Sequence, residues 1–555
     1  MQGAGMKVDE ALHLAKPLGR VQFFILVCNC SLSFCASWIY LGSVFFSEAI
    51  SYKCKTAPEK DVLIGNLSIK EFQSFYCHDG TSQCFGKLDY DTSEHGQSIV
   101  TEWDLVCDRA SLASVSLSVL HAGLAVGSIT FGYTTDKYGR RSMMLFCLVL
   151  FNIFSLAETL SPNFIFFVIM RFLCGLTFKG AWLSPTTMMF EYLTPNYRSV
   201  IGSIPQIFFS VGLIVMSGVG YLVKDWRPFR AVLMTPTLIC LSFFWMLPES
   251  VRWQLSKNKV REAERTIQKV AKWNGVMDFP KLVFTDTVLV ESIEEGQQRA
   301  KATNNNSSFF EIIKPPTVVV TVALGVMWFT FFSVYFGFAL SSGSLAGNLY
   351  FNFFLNSLVE IPARLLQILV VGRVSRVASS FVCFFGAGLT MTAIVFLRNI
   401  DGEWSTAIPV LAFLGKFLIT FIFATVLLMT TEVFPTTIRV AGTGFVQACG
   451  SIGSISAPLL LYLDTILPNL AFTCLAGIAF LAAFLCCLLP ETRNTVQPQT
   501  VEDLRELLKN RYISIKTFFN TRRLRRNNWH ESRESGEDPS SDGEHDSREV
   551  GRSEK

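Results

Sequence analysis

Several charged residues stand inside long apolar runs, where their type and spacing could do chemistry. They are Glu158, Arg171, Lys179, Glu360 and Arg364, with His121 beside them. An ionisable group near the centre of a bilayer costs about 2.5–3.5 kcal/mol on insertion scales, so each is a functional candidate. Glu360 and Arg364 are four residues apart, with Pro362 between them. That spacing puts them on one helical face, where they can neutralise each other or open to meet a charged ligand. Trp182, close after Lys179, offers an electron-rich face worth about 0.5–2 kcal/mol to an organic cation. The alternative for Trp182 is packing between helices. Arg171 lies near the start of its run and can snorkel. His121 reads as a hydrogen-bonded packing residue, with proton coupling as the alternative. Glu158 has no assigned role.

A second group is the charged hairpin Gly127–Arg141, GSITFGYTTDKYGRR. It joins two apolar runs, and positive residues in short loops mark the cytoplasmic side. Gly139 supplies the backbone freedom of a tight turn. Asp136 can sit near a helix N-terminus, and Arg140 and Arg141 can pair with carboxylates on other helices. Such a cluster could latch one half of a transporter and break on a change of state; a plain positive-inside loop is the alternative.

The elements that must position these residues are membrane spans. Half of the 555 residues are hydrophobic, with 50 Phe, and the mean hydropathy is +0.39. Runs of about 20 apolar residues cross a bilayer. They fall at about 21–46, 111–133, 142–160, 163–190, 200–223 and 229–248, then at 316–340, 346–371, 378–398, 406–431, 440–464 and 468–489. Around them the chain divides into a cytoplasmic N-terminal arm (1–20), an N-terminal six-helix half (21–248), a cytoplasmic central loop (249–314), a C-terminal six-helix half (315–489) and a tail (490–555). The tail's acidic, Ser-rich composition reads as disordered. The loop 47–110 is expected outside, where disulfides persist. It holds Cys54, Cys77, Cys84 and Cys107, with three possible pairings, and Asn66 in a glycosylation sequon.

Internal echoes support two related halves. Pro248-Glu249-Ser250 recurs as Pro490-Glu491-Thr492, and Glu191 before Arg198 recurs as Glu432 before Arg439. The hairpin recurs in degraded form at Gly372-Arg373-Val374-Ser375-Arg376. The net charge of +4 gives no reason to invoke nucleic acid. The chain carries no GxxxxGK[ST] phosphate loop, no metal-ligand spacing and no Ser-His-Asp arrangement, so neither an enzyme nor a cofactor is expected.

Gly132-x-x-x-Asp136-Lys137-x-Gly139-Arg140-Arg141 resembles the loop between helices two and three of the major facilitator superfamily. Three further stretches narrow the resemblance: residues 98–107 (SIVTEWDLVC), 248–253 (PESVRW) and 431–439 (TEVFPTTIR). With the Cys-bearing loop after helix 1, they resemble the organic cation, carnitine and organic anion transporter family. The resemblance implies an all-α membrane protein with twelve transmembrane helices in two six-helix halves, the major facilitator fold, and a large extracellular loop after helix 1. It also implies that Trp182 faces the substrate route, in a segment like the family's KGSW, and that Tyr335 and Phe336 line the cavity. Arg364 and Lys416 resemble basic positions of anion and carnitine members. Aligned on Gly453-Ser454 and Pro458, the helix 11 position that carries an Asp in cation members and an Arg in carnitine and anion members is Ser451, which leaves the sign of the substrate open.

The expectation is a plasma-membrane secondary transporter working by alternating access, with both termini cytoplasmic and a small organic ion and the lipid bilayer as its partners. Organic cations are favoured, with carnitine-like zwitterions or organic anions close behind. The expected route residues are Lys179, Trp182, Tyr335, Phe336, Glu360, Arg364, Lys416 and Ser451. Asp136, Arg140, Arg141, Glu191, Arg198, Glu432 and Arg439 are expected at the cytoplasmic gate. A non-transporting membrane receptor is the reading from another class.

Overall fold

Near-continuous apolar sequence leaves the backbone no water to bond with in a bilayer, and helices answer that constraint by satisfying their own N–H and C=O groups. The structure, a computed structural model, is accordingly helical apart from short strands in the loop after the first span. It describes residues 8–47, 52–54, 77–78, 81–82, 88–90, 92, 96–276, 279, 311–344, 348–370, 372–400, 406–435, 438–493 and 498–509. In chain order the first half contains α1 (Val8–Leu14), α2 (Arg20–Leu41), α3 (Ser43–Phe46), α4 (Ile99–Glu102), α5 (Ser111–Tyr138), α6 (Arg140–Thr159), α7 (Phe164–Tyr192), α8 (Pro195–Leu222), α9 (Trp226–Cys240) and α10 (Phe243–Met246). The connecting region carries α11 (Val251–Ser256) and α12 (Val260–Trp273). The second half contains α13 (Thr317–Leu340), α14 (Leu349–Leu358), α15 (Glu360–Val370), α16 (Arg376–Arg398), α17 (Ala407–Val433), α18 (Arg439–Ile466) and α19 (Leu470–Cys486).

Among the described residues, ten helical segments are long and apolar enough to cross a membrane. The shorter α9–α10 and α19 complete twelve spans, six in each half. The expected sixth span, 229–248, instead starts at Trp226 and breaks at Leu241–Ser242. The charged turn is also shorter than expected. Asp136 and Lys137 lie in the last turn of α5, only Gly139 (φ 102°) is non-helical, and α6 starts at Arg140. Asp136 therefore sits at a helix C-terminus rather than near an N-terminus.

Local chemistry places several ends. Asn163, Ser250, Asn348 and Ser375 cap helices by accepting backbone N–H bonds, and Pro195 opens α8, where its missing N–H costs nothing. The eighth span breaks between α14 and α15 at Val359. Pro362 three residues later cannot donate to the carbonyl four positions back. The break leaves Glu360 as the first residue of α15, where the helix dipole favours a carboxylate.

Within the first half α7 packs along α5 and α6, and within the second α13 packs along α18. Both crossings depend on glycine. A Cβ on Gly123 would meet the Phe172 carbonyl oxygen at 2.2 Å, and one on Gly175 would meet the Leu120 carbonyl oxygen at 2.3 Å. In the second half Gly453 approaches the Phe329 carbonyl oxygen in the same manner, at 2.3 Å. Large side chains such as Ile129, Ile165 and Leu222 stay exposed on the helical surfaces, as a lipid-facing belt requires.

The halves meet at the end remote from the Gly139 hairpin. Ser118 on α5 donates to the Ile455 carbonyl on α18 at 2.9 Å, the rings of Phe45 and Tyr350 stack at 5.5 Å, and α14 and α15 lie on α8. Toward the hairpin end, Gly132 on α5 and Gly444 on α18 have open space where a side chain would begin. The amphipathic α12 buries Ala263, Ile267, Val270 and Ala271. Asn274 just after it accepts from Val21 N–H and donates to the Ala15 carbonyl, tying α12 to the start of α2.

Among the loop cysteines, Cys107 is disulfide-bonded. Cys54 and Cys77 lie in β1 (Tyr52–Cys54) and β2 (Cys77–His78), which pair antiparallel with β4 (Leu88–Tyr90) and β3 (Thr81–Ser82) respectively. The side chains of Cys54 and Cys77, and all of Cys84 and Asn66, lie outside the described residues.

Overpacking a closed contact costs about 1–3 kcal/mol, and Gly123 has no room to relax because its neighbour is backbone. Gly123→Val is expected to remove most of the protein from the cell surface, whereas Gly132→Ala on the same helix retains it. Surface biotinylation of the two variants checks this, and equal surface levels would contradict the crossing.

Candidate functional site

Glu360 has no exposed surface and collects partners from four helices. Its Oε1 accepts from the Tyr335 hydroxyl at 2.7 Å and pairs with Lys416 Nζ at 3.1 Å. Its Oε2 accepts from Ser210 Oγ at 2.8 Å and lies 3.9 Å from Arg364 Nη2. Ser210 belongs to α8, so this carboxylate joins the two halves. The expected Glu360–Arg364 pair thus forms, but Lys416 is the closer cation. Lys416 also lies 3.2 Å from the centroid of the Tyr335 ring and donates to the Tyr335 carbonyl at 3.3 Å.

This cluster carries two cations for one carboxylate. Arg364 is buried, and among the described residues its Nε and Nη1 have no hydrogen-bond partner. Its guanidinium lies 5.5 Å from the centroid of Phe423. Lys179, half-buried on α7, lies 4.9 Å from the Trp182 ring centroid. The cation on the Trp182 face is therefore the chain's own, and the Trp182 indole N–H donates to Ser33 Oγ at 3.2 Å. Ser451 is half-buried on α18 and bonds back to the Gln447 carbonyl.

Phe336 adds an aromatic wall. Its ring packs 4.5 Å from His121 and 6.2 Å from Tyr40, and Phe332 stacks beside it at 6.3 Å. His121 is buried, and among the described residues neither ring nitrogen has a hydrogen-bond partner. The expected hydrogen-bonded packing histidine is not what forms. An unsatisfied buried polar group costs about 1–3 kcal/mol.

A second charged cluster lies in the first half, away from the hairpin. Glu158 Oε2 accepts from Arg230 Nη2, and Oε1 lies 3.4 Å from Arg171 Nε. Arg171 is 2% exposed and packs on Phe46 and Phe167. It does not snorkel, because Glu158 and two aromatic rings hold it inside. Arg230 had drawn no attention in the sequence; a second arginine within an apolar helix was the available signal.

At the hairpin end, Arg140 is buried and pairs through Nη2 with Asp136 at 2.7 Å and Glu191 at 3.0 Å. The carboxylate at the N-terminus of α6 is Glu249, whose Oε1 accepts from Arg140 N–H at 2.9 Å and whose Oε2 accepts from Arg141 N–H at 3.2 Å. Burial pushes the Glu249 carboxyl up from its ordinary value, opposed by the amides of Ser250, Arg141 and Arg140. The second half repeats the device. Glu491 accepts from the amides of Arg376 and Val377 and from Ser375 Oγ. Burial acts upward on Glu491 too, but the Ser375 hydroxyl and these amides outweigh it and hold the carboxyl below the ordinary value. Glu432 pairs with Arg376 rather than Arg439. Arg439 instead donates through Nε to the Phe434 carbonyl at 3.1 Å. The Arg198 side chain lies outside the described residues.

Comparison with known proteins agrees with this geometry. The family of sugar (and other) transporters matches residues 66–499. An organic cation transporter protein of Drosophila melanogaster is 33% identical over 417 residues, covering 75% of each chain. Solute carrier family 22 member 2 of Rattus norvegicus is 32% identical over 418 residues, 75% of this chain and 73% of that one. Among solved structures, a proton:xylose symporter of the major facilitator superfamily superposes with a TM-score of 0.58 at 15% identity, covering 88% of this chain and 99% of that one. The human organic anion transporter TETRAN gives 0.51 at 14% identity, covering 84% and 99%. Sequence, fold and relatives converge: this chain is a multi-pass organic-ion transporter of the major facilitator superfamily and belongs to its organic cation, carnitine and organic anion transporter family.

Proposed function

We propose that the chain is a secondary carrier of the plasma membrane that moves small organic ions by alternating access, and that its substrate carries a negative group. The observation that carries the reading is the cationic surplus at the cluster where Ser210 joins the halves: Lys416 and Arg364 against Glu360, with Arg364 Nε and Nη1 unpaired among the described residues. A carboxylate on the substrate would take those donors. The relatives named as organic cation transporters, with the aromatic faces of Tyr335 and Phe336, support a cationic part as well. A carnitine-like zwitterion satisfies both sets of observations. A plain organic cation is the second reading, favoured by the relatives' names, and Trp182 serves it only if Lys179 moves aside.

In this reading Lys179, Trp182, Tyr335, Phe336, Glu360, Arg364, Lys416 and Ser451 line the route. The halves 21–248 and 315–489 rock about it. The hairpin end is cytoplasmic, as are both termini and the central loop 249–314. The contacts between halves described here lie at the far end, which corresponds to a carrier open toward the cytoplasm. Asp136, Arg140, Arg141 and Glu191, with Glu432, Arg439 and Arg198, form the cytoplasmic gate. Asn66 is glycosylated, and the loop cysteines pair outside.

Uptake of labelled carnitine, tetraethylammonium and a small aryl carboxylate into cells tests the substrate. Carnitine is expected to give the greatest flux. Losing hydrogen bonds from a charged donor costs about 1.5–3 kcal/mol, so Arg364→Ala is expected to raise the KM for carnitine roughly 10- to 100-fold and to leave tetraethylammonium unaffected. Flux of tetraethylammonium alone, falling on depolarisation, would favour the cation reading. Surface protein with no flux of any probe would favour a receptor.

The gate makes a separate ordering. Asp136 is 57% exposed and Glu191 only 8%. An exposed pair is worth about 0.2–1 kcal/mol, whereas removing one partner of a buried pair costs about 3–5 kcal/mol. Asp136→Ala is expected to slow transport at normal surface level and Glu191→Ala to impair it more; normal flux in both variants removes these residues from the gate.

A further inference from the structure

A neutral imidazole has one donor and one acceptor nitrogen, and nine in ten or more buried polar groups find a partner. His121 breaks that rule twice. It is 1% exposed, and neither nitrogen is bonded. It is also not remote from the transport route. Tyr40 on α2 lies 5.8 Å from its ring, and Phe209 on α8 packs 6.3 Å from Tyr40. Both belong to the same half as His121. From the opposite half, Phe336 of α13 packs edge-on against it at 4.5 Å. Tyr335, next to Phe336 in the chain, donates to Glu360, and Ser210, next to Phe209, donates to it from the other half. The imidazole is thus one ring away from the charged cluster.

We infer that His121 is a substrate-contact residue of the opposite, outward-open state, where it hydrogen-bonds the negative head of the substrate. The inference rests on the alternating-access reading above. When the halves part at this end, Phe336 leaves with its own half and the two nitrogens face the space beside Arg364 and Lys416. The imidazole then supplies an N–H to a carboxylate and a free nitrogen to water or a substrate hydroxyl. In the state described here the rings of Tyr40 and Phe336 pack against it, and among the described residues neither nitrogen is hydrogen-bonded. That asymmetry between states separates His121 from a packing residue, which would be covered in both, and from a static site residue, which would be open in both.

The test follows the asymmetry. His121→Cys, in a chain that otherwise keeps its native cysteines, is treated with a membrane-impermeant anionic methanethiosulfonate. The reagent is applied from outside to cells and from the cytoplasmic side to inside-out vesicles. Labelling above the unsubstituted chain is expected from outside only, slowed by carnitine. No labelling from outside, or equal labelling from both sides, overturns the inference. Transport gives a second readout that does not depend on the thiol. His121→Asn keeps a donor and an acceptor and is expected to retain preference for carnitine over tetraethylammonium. His121→Phe fills the same room without them and is expected to lose about tenfold of that preference. Equal selectivity in both variants overturns it as well. If the unsubstituted chain carries no carnitine, the substrate reading fails while the labelling still decides the place of His121.

Discussion

The interaction on which the rest depends is the one around Glu360. A carboxylate with no exposed surface in an apolar bundle is tolerated only when its charge and lone pairs are all answered. Here Lys416 and Arg364 supply charge, and Tyr335 and Ser210 supply hydroxyls. The break of the eighth span at Val359 puts Glu360 at a helix N-terminus, so the backbone favours the same ionised state. Because Ser210 comes from the other half, the cluster is also a contact that any rocking of the halves must break or carry along. Such a network is weak grounds for stability, since well-packed apolar residues often do as well. Its surplus cation and unpaired guanidinium nitrogens make better sense as a place for a charged guest.

The hairpin ends are governed by a different balance. Each half turns its second span into its third at a short connection, and each caps the following helix with a distant glutamate: Glu249 on α6 and Glu491 on α16. Four orphan N–H groups at a helix start need acceptors, and a carboxylate also meets the positive end of the dipole. The buried Arg140 and the half-buried Arg376 then pair with Glu191 and Glu432 from the ends of α7 and α17. The two halves are not equal in this respect. Glu249 is held above its ordinary pKa by burial, and Glu491 below it by the Ser375 hydroxyl and neighbouring amides.

How much of this was legible depends on the range of the signal. Spans, their number and the two-half plan follow from run length, because lipid imposes one answer on a run of about 20 apolar residues. The recurrence of Pro-Glu-Ser and Pro-Glu-Thr pointed at Glu249 and Glu491, although not at the amides they accept from. The position of Arg171 near a helix end fits snorkelling, and nothing local announces Glu158 of α6 as the partner it shares with Arg230 of α9. His121 was misread for the same reason: hydrogen bonding is a property of what stands opposite, and what stands opposite is Phe336, more than 200 residues away in the chain.

The sequence by itself determined the solvent in which this protein lives, the order of its helices, the turn at Gly139 and the residue types that could carry charge into the membrane. These are local or compositional, set by lengths, periods and backbone chemistry. Only the tertiary structure decided which charges pair, that Lys416 rather than Arg364 is the closest cation to Glu360, that Lys179 occupies the face of Trp182, and that His121 is left without a partner. Those outcomes depend on distances between helices, and side chains separated along the chain acquire a distance only when the helices pack.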